Sequence, residues 1–265
     1  MIPHDYHVHT RFSADCSATM HDMCAAALAS GVPEVGFAEH YDLHPDEQPR
    51  DWLDLDRWAE ELDRCRRQYA GRLTIRAGIE IGEPHLFTQE VRRMMGRYPF
   101  DYSLGSLHWV GRGFVFSPDY FRRPAEEAFS LYFQELEKMT RSGEFEILGH
   151  LDVPVRTGFE IYGSYDPSRY EDLIRPVLQN CIDRNIALEV NAGTLRRRAG
   201  VLTPGPQILE WYRQMGGRHL TLGSDAHLPS QVAVGLDVAM GAARTAGLKH
   251  ISQFENRRSQ LISLP

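Results

Sequence analysis

Histidines and carboxylates recur along this chain at spacings that suit metal binding. His7-Val8-His9 and Asp225-Ala226-His227 both place two ligand-type residues two positions apart. On a β-strand such residues point to one face, about 7 Å apart. Each pair can therefore grip one ion. Asp15, His40, Glu80, His108 and His150 are further candidates, and the chain carries 12 histidines in 265 residues. Mixed imidazole and carboxylate ligands suit Zn²⁺, Mn²⁺ or Fe²⁺ better than Ca²⁺ or Mg²⁺. A carboxylate such as Glu80 can also bridge two ions at the roughly 3.5–4 Å separation used in two-metal hydrolysis. Singly, each residue has a plain explanation. H-x-H can be a surface pair, Asp225 a helix N-cap, and Glu80 an ion-pair partner of Arg76. Together they would need a separate explanation at six positions.

The elements that must position these residues alternate. Strand-like runs fall at 4–9, 34–38, 73–81, 101–107, 145–149, 186–190 and 219–223. Between them, helical patterns cover 54–69, 85–96, 125–142, 168–184, 205–216 and about 230–246. A first helix starts after Thr19, which reads as an N-cap with Asp22 three residues on, and stops at Gly31. Repeated strand–helix alternation predicts an α/β parallel sheet with helices outside. No G-x-G-x-x-G follows a strand, so a closed barrel fits better than a dinucleotide-binding open sheet. In such a barrel the functional groups gather at the C-terminal strand ends. Nearly every predicted strand delivers a histidine or carboxylate there. The segments 41–53 and 110–124 read as long loops of the kind that cover an active site.

Composition narrows the function classes. With 42% hydrophobic and 25% charged residues the chain is ordinary globular protein. We expect one domain over 1–265. A formal charge of −7 argues against a nucleic-acid partner, though a metal cluster can still attract a small phosphorylated substrate. The N-terminus has no signal-peptide pattern, and no apolar run is long enough to span a membrane. The four cysteines form no C-x-x-C pair and suggest no disulfide framework, which predicts a cytoplasmic setting.

Read in order, D-Y-H-V-H-T (5–10), A-E-H (38–40), G-I-E (78–80), S-L-H (106–108), G-H-L-D (149–152) and G-S-D-A-H (223–227) resemble the motifs of the PHP superfamily, named for polymerase and histidinol phosphatase. R-Y-P-F-D-Y-S-L-G-S-L-H-W (97–109), Y-F-Q-E-L-E-K (132–138), G-H-L-D-V-P (149–154) and L-E-V-N-A-G-T-L-R-R (188–197) are similar to its monofunctional histidinol-phosphate phosphatases. The resemblance implies a distorted (βα)₇ barrel with two or three divalent ions at the C-terminal strand ends. By the same resemblance His7, His9, Glu80 and Asp225 would hold one ion. Glu80, His108 and His150 would hold a second, with Glu80 shared, and Asp15, His40 and His227 a third. Asp15 departs from the histidine found there in many relatives, which puts the third site's affinity in doubt. Asp5 and Glu39 look like groups that orient imidazoles.

The implied reaction is hydrolysis of L-histidinol phosphate, a step of histidine synthesis, by a hydroxide held between two ions. Glu80, Asp225 and His227 would serve the chemistry. Asp225 and His227 are both candidates for protonating the leaving alkoxide. Arg156, Arg196 and Arg197 are candidates for binding the phosphate. Trp109 and Phe116 either wall the imidazole end or pack a loop. Three alternatives stay open: a PHP phosphoesterase for a nucleotide or other small ester, a non-catalytic metal-binding accessory module, and an amidohydrolase-like hydrolase.

Overall fold

Asp5–Val8 (β1) and Glu34–Tyr41 (β2) open a parallel sheet that continues through Thr74–Gly82 (β3) and Leu104–Ser106 (β4). The computed structural model describes residues 2–49 and 52–265. After a small hairpin of Trp109–Val110 (β5) and Gly113–Phe114 (β6), the sheet resumes with Ile147–Leu148 (β7), Ala187–Asn191 (β8) and Leu220–Gly223 (β9). The order is β1-β2-β3-β4-β7-β8-β9. The ring nearly closes between its first and last strands. The amide of His9 donates to the carbonyl of Ala226 at 2.9 Å, and the amide of Ala226 to that of His7 at 3.2 Å. A nearly closed barrel of seven parallel strands is the expected architecture.

Helices Met20–Ala29 (α1), Leu55–Gln68 (α2), Thr88–Met95 (α3), Ala125–Ser142 (α4), Val155–Tyr162 (α5), Glu171–Asp183 (α6), Pro206–Gln214 (α7) and Leu236–Thr245 (α8) follow the strands. Local chemistry sets their limits. Thr19 and Asp22 form a reciprocal capping box at the start of α1. The side chain of Asp54 caps α2 by accepting from the amide of Arg57 at 3.1 Å. Helix α4 starts after Pro124, stops at Gly143, and buries Phe129, Tyr132, Phe133, Leu136 and Met139. Those residues recur at three- and four-residue steps, so one stripe meets the barrel.

The barrel interior is filled rather than open. The ring of Tyr102 occupies the space beside Gly36 and Gly78, and its hydroxyl donates to the carbonyl of Tyr6 at 2.6 Å. A Cβ on Gly36 would stand 1.9 Å from that hydroxyl. The final hairpin, His250–Glu255 (β10) with Arg258–Ser263 (β11), covers the N-terminal end of the strands. There the amide of Phe254 donates to the hydroxyl of Tyr6, and Asp101 accepts from the amide of Asn256. The opposite end is left for the site. Among the described residues, no helix is long and apolar enough to cross a membrane.

Several elements differ from the sequence expectation. The 145–149 strand pairs only over Ile147–Leu148. Helix α8 begins at Leu236 instead of 230, because a short 3₁₀ turn and a left-handed Gly235 (φ 83°) precede it. Helix α5 and the two hairpins were not anticipated. Arg76 pairs with Glu34 and Glu255, not with Glu80. Asp225 caps no helix.

Candidate metal centre

At the C-terminal end of the barrel, all nine residues expected as ligands come together. His7 and His9 leave β1, with ring centroids 5.0 Å apart. His40 and Glu80 sit side by side in register on β2 and β3. His108 and His150 follow β4 and β7, and Asp225 and His227 follow β9. Asp15 arrives on the loop after β1.

Glu80 is the hub. It is 1% exposed, and its two oxygens divide the histidines between them. Oε1 lies 3.0 Å from His150 Nε2 and 3.4 Å from His108 Nε2. Oε2 lies 3.3 Å from His7 Nε2, 3.6 Å from His9 Nε2 and 2.9 Å from His40 Nδ1. The hydroxyl of Ser106 donates to Oε1 at 2.6 Å. Asp225 Oδ1 completes the first group, 3.6 Å from His9 Nε2. Asp15 Oδ2 lies 3.0 Å from His227 Nε2, and its Oδ1 lies 3.7 Å from His40 Nε2. His40 thus stands between the Glu80 groups and the Asp15 group.

These residues fit divalent ions. The buried Nε2 atoms of His7, His9 and His227, with Nδ1 of His40 and Oε2 of Glu80, have no aligned hydrogen-bond partner among the described residues. Buried polar atoms are ordinarily paired, so a convergent set of unsatisfied donor atoms is what a metal site requires. Four combinations of three residues hold their ligand atoms within 4.8 Å of one another: His7-His9-Asp225, His7-Glu80-His150, His40-Glu80-His108 and His9-His40-His227. Burial alone would raise the Glu80 pKa, but the charges of His7 and His40 and hydrogen bonds from His108 and His150 hold it well below the usual range. Burial, reinforced by His227 and His40, pushes His9 down to about 3.

A second layer fixes the rings. Glu189 Oε1 meets His7 Nδ1 at 2.7 Å, which fixes the ring with its Nε2 toward Glu80. The same carboxylate accepts from the amide of His150 through Oε2 at 2.7 Å. Gly223 makes this possible, since a Cβ there would lie 2.0 Å from Glu189 Oε1. Asp42 Oδ1 meets His108 Nδ1 at 3.1 Å. Glu39 acts one step away, accepting from Ser13, whose hydroxyl meets His9 Nδ1 at 3.1 Å. Asp5 does not orient an imidazole; its carboxylate accepts from the amides of Ser224 and Ala233 and so holds the chain around Asp225. Glu189 and Asp42 escaped the sequence reading. Glu189 sits inside an apolar strand, and Asp42 repeats the x-spacing of the metal pairs in H-Y-D without a second strand to mark it. In the Glu189→Gln variant, which keeps the volume but loses the charge that orients His7, ion affinity should fall about 10–100-fold. Titration against a chromophoric chelator reads this, and an unchanged affinity would remove Glu189 from that role.

Above the cluster lies a cleft of about 660 Å³, floored by Asp15, His40, Glu80, His108, His150, Asp225 and His227. Residues from the loop segments 42–49 and 52–53, with Phe114 of the β5–β6 hairpin, form its walls. Arg156 and Phe116 line it, with the guanidinium 5.3 Å over the Phe116 ring. Arg196 and Arg197 do not line it. Arg196 Nη2 donates to the backbone carbonyl of Asp225 at 2.8 Å, while Arg197 is exposed. Trp109 stacks on His44 away from the cleft surface, with centroids 4.3 Å apart.

Comparison with known proteins places the chain in a family. The family model described as PHP domain matches residues 5–193. The chain belongs to the PHP domain family. Its PHP relatives include the probable histidinol-phosphatase of Clostridium acetobutylicum, 28% identical, with 96% of this chain and 97% of the relative covered. The histidinol-phosphatase of Lactococcus lactis is 25% identical, with 96% and 95% covered. A crystal structure of the Lactococcus lactis histidinol phosphate phosphatase, in complex with zinc, L-histidinol and phosphate, superposes with a TM-score of 0.88. It is 24% identical and covers 98% of this chain and 99% of that one, which shows a shared PHP barrel throughout.

Proposed function

We propose that this protein is a metal-dependent phosphomonoesterase that hydrolyses L-histidinol phosphate to L-histidinol and phosphate, a step of histidine synthesis. The observation that carries the reading is the convergence of His7, His9, Asp15, His40, Glu80, His108, His150, Asp225 and His227 beneath and along the floor of one cleft with a guanidinium in its wall. The substrate is supported by relatives of matching length that bear that activity in their names.

Two or three divalent ions of Zn, Mn or Fe, when bound, polarise phosphate oxygens and acidify water. Glu80, placed between the His7-His9 and His108-His150 groups, would be shared by two of them. The chain's own groups supply binding and proton movement. Arg156 faces the cleft as a planar, permanently cationic fork suited to two phosphate oxygens. Arg196 fixes the left-handed backbone of Asp225 (φ 53°) through its carbonyl and keeps a buried Nη1 with no partner among the described residues. Of the adjacent pair, Arg196 is therefore the one built into the site.

The two proton-transfer candidates stand side by side. His227 Nδ1 meets the carbonyl of Asp225 at 3.2 Å, and its Nε2 lies 3.0 Å from Asp15 Oδ2. Burial would lower its pKa, but the carboxylates of Asp15 and Asp225 raise it. Burial would raise the Asp225 pKa, but His9 beside it and the charges of His7 and His227 hold it ionised. Attack of water on phosphorus releases one proton, and breaking the P–O bond to histidinol on the opposite side consumes one. Asp225 and His227 are the two groups proposed to accept the first and supply the second.

The test is at Arg156. Arg156→Ala should lower kcat/KM for L-histidinol phosphate about 10²–10³-fold, and Arg156→Lys should recover only a small part, because an ammonium cannot bind two oxygens at once. Steady-state phosphate release measures both, and values within threefold of the parent enzyme would contradict the assignment.

A further inference from the structure

L-Histidinol phosphate carries an ammonium group next to the carbon that bears the phosphate ester, and the metal cluster offers that cation nothing but repulsion. We propose that Glu47 receives this ammonium and so sets the preference for an amino-alcohol phosphate; the inference rests on the substrate reading above.

The cleft's described carboxylates are Asp15, Asp42, Glu47, Glu80 and Asp225. Three belong to the ligand cluster. Asp42 is spent on imidazoles, with Oδ1 3.1 Å from His108 Nδ1 and Oδ2 3.5 Å from His40 Nδ1. Glu47 is left, and among the described residues no basic side chain pairs with it. It is also held in place. Its Oε2 accepts from the indole Nε1 of Trp109 at 2.7 Å, which leaves Oε1 only a 3.2 Å contact from the amide of Gln48.

The loop that carries Glu47 is bolted to the β5–β6 hairpin. His44 stacks on Trp109 within 3° of parallel, and its Nε2 bonds the carbonyl of Gly111 at 2.8 Å. Arg112 clasps Asp46 through two hydrogen bonds of 2.9 and 3.1 Å. Glu47 is thus a fixed carboxylate in the wall, where a mobile one would lose much of its binding to ordering. Phe114 and Phe116 line the same cleft and give the imidazole ring an apolar face. A charge-assisted hydrogen bond between Glu47 and the ammonium then distinguishes this ester from those without an amine.

The test compares L-histidinol phosphate with its des-amino analogue, which keeps the imidazole and the phosphate. The metal-loaded parent enzyme should prefer the amino ester about 30-fold in kcat/KM. Glu47→Gln should bring that ratio close to one, with most of the loss in KM. Trp109→Phe, which removes the indole donor that fixes Glu47, should lower the ratio by less. A ratio that survives in Glu47→Gln overturns the assignment, as does an equal fall on both esters, which marks a structural role. A parent enzyme that prefers neither imidazole ester over simple alkyl phosphates would sink the substrate reading itself, an outcome visible before any variant is made.

Discussion

Replacing Glu80 with Gln should cost at least about 10³-fold in kcat/KM and empty two ion sites together, with the fold intact. The size follows from the several kcal/mol that Lewis-acid stabilisation supplies to a transferring phosphoryl group. The coupling follows from geometry. One oxygen of Glu80 serves His108 and His150, and the other serves His7, His9 and His40. Gln keeps the shape and can still accept from Ser106 through its carbonyl oxygen. Its amide nitrogen has no lone pair to give an ion. Elemental analysis of the purified variant should therefore show the loss of more than one ion per chain, while far-UV circular dichroism stays that of the parent. Full metal content with full activity would show that Glu80 bridges nothing.

Stripping the ions should abolish activity and lower the melting temperature by roughly 10 °C. A ligand that binds only the folded state stabilises it by about 4 kcal/mol when present at a thousand times its dissociation constant. For a chain of this size each kcal/mol moves the midpoint by about 2–4 °C. The buried imidazoles sharpen the effect. His7, His9, His40 and His227 stack around one another, with His9 and His227 centroids 4.2 Å apart, and an ion supplies the partner that their inward nitrogens lack. Differential scanning calorimetry with and without chelator measures the shift. Restoring Mn²⁺ or Zn²⁺ should recover both midpoint and activity. A midpoint indifferent to chelator and to added metal would mean that the cluster binds no ion tightly.

His7-Val8-His9 was legible because strand geometry puts residues two apart on one face; Asp225-Ala226-His227 shows the same spacing but lies beyond β9 with Asp225 left-handed (φ 53°), and its two side chains join different groups. Alternation of strands and helices revealed the barrel for a similar reason: each element buries one face with its own period. What stayed hidden depends on contacts distant in sequence. Glu189 is a carboxylate inside an apolar strand, and only the fold brings it to His7, 182 positions away. Glu39 reaches His9 through Ser13, a relay that no spacing announces. Asp5 looked like a support for imidazoles because it precedes them. The fold brings its carboxylate instead to the amides of Ser224 and Ala233, more than 200 positions away. The closing hairpin escaped because its outer strand, Arg258–Ser263, is mostly polar and exposed, and helix α5 because its eight residues show barely two turns of periodicity. Among the arginines, adjacency at 196 and 197 concealed different fates, one half-buried against Asp225 and one in solvent.

The most direct measurement is phosphate release from L-histidinol phosphate beside a panel of nucleotides and sugar phosphates, with the protein loaded with Mn²⁺ or Zn²⁺. The cleft, its cluster of metal-type ligands and Arg156 predict rapid, metal-dependent hydrolysis with histidinol phosphate preferred over every other ester. Hydrolysis of none of them, with ions shown to be bound, would contradict the account at its centre.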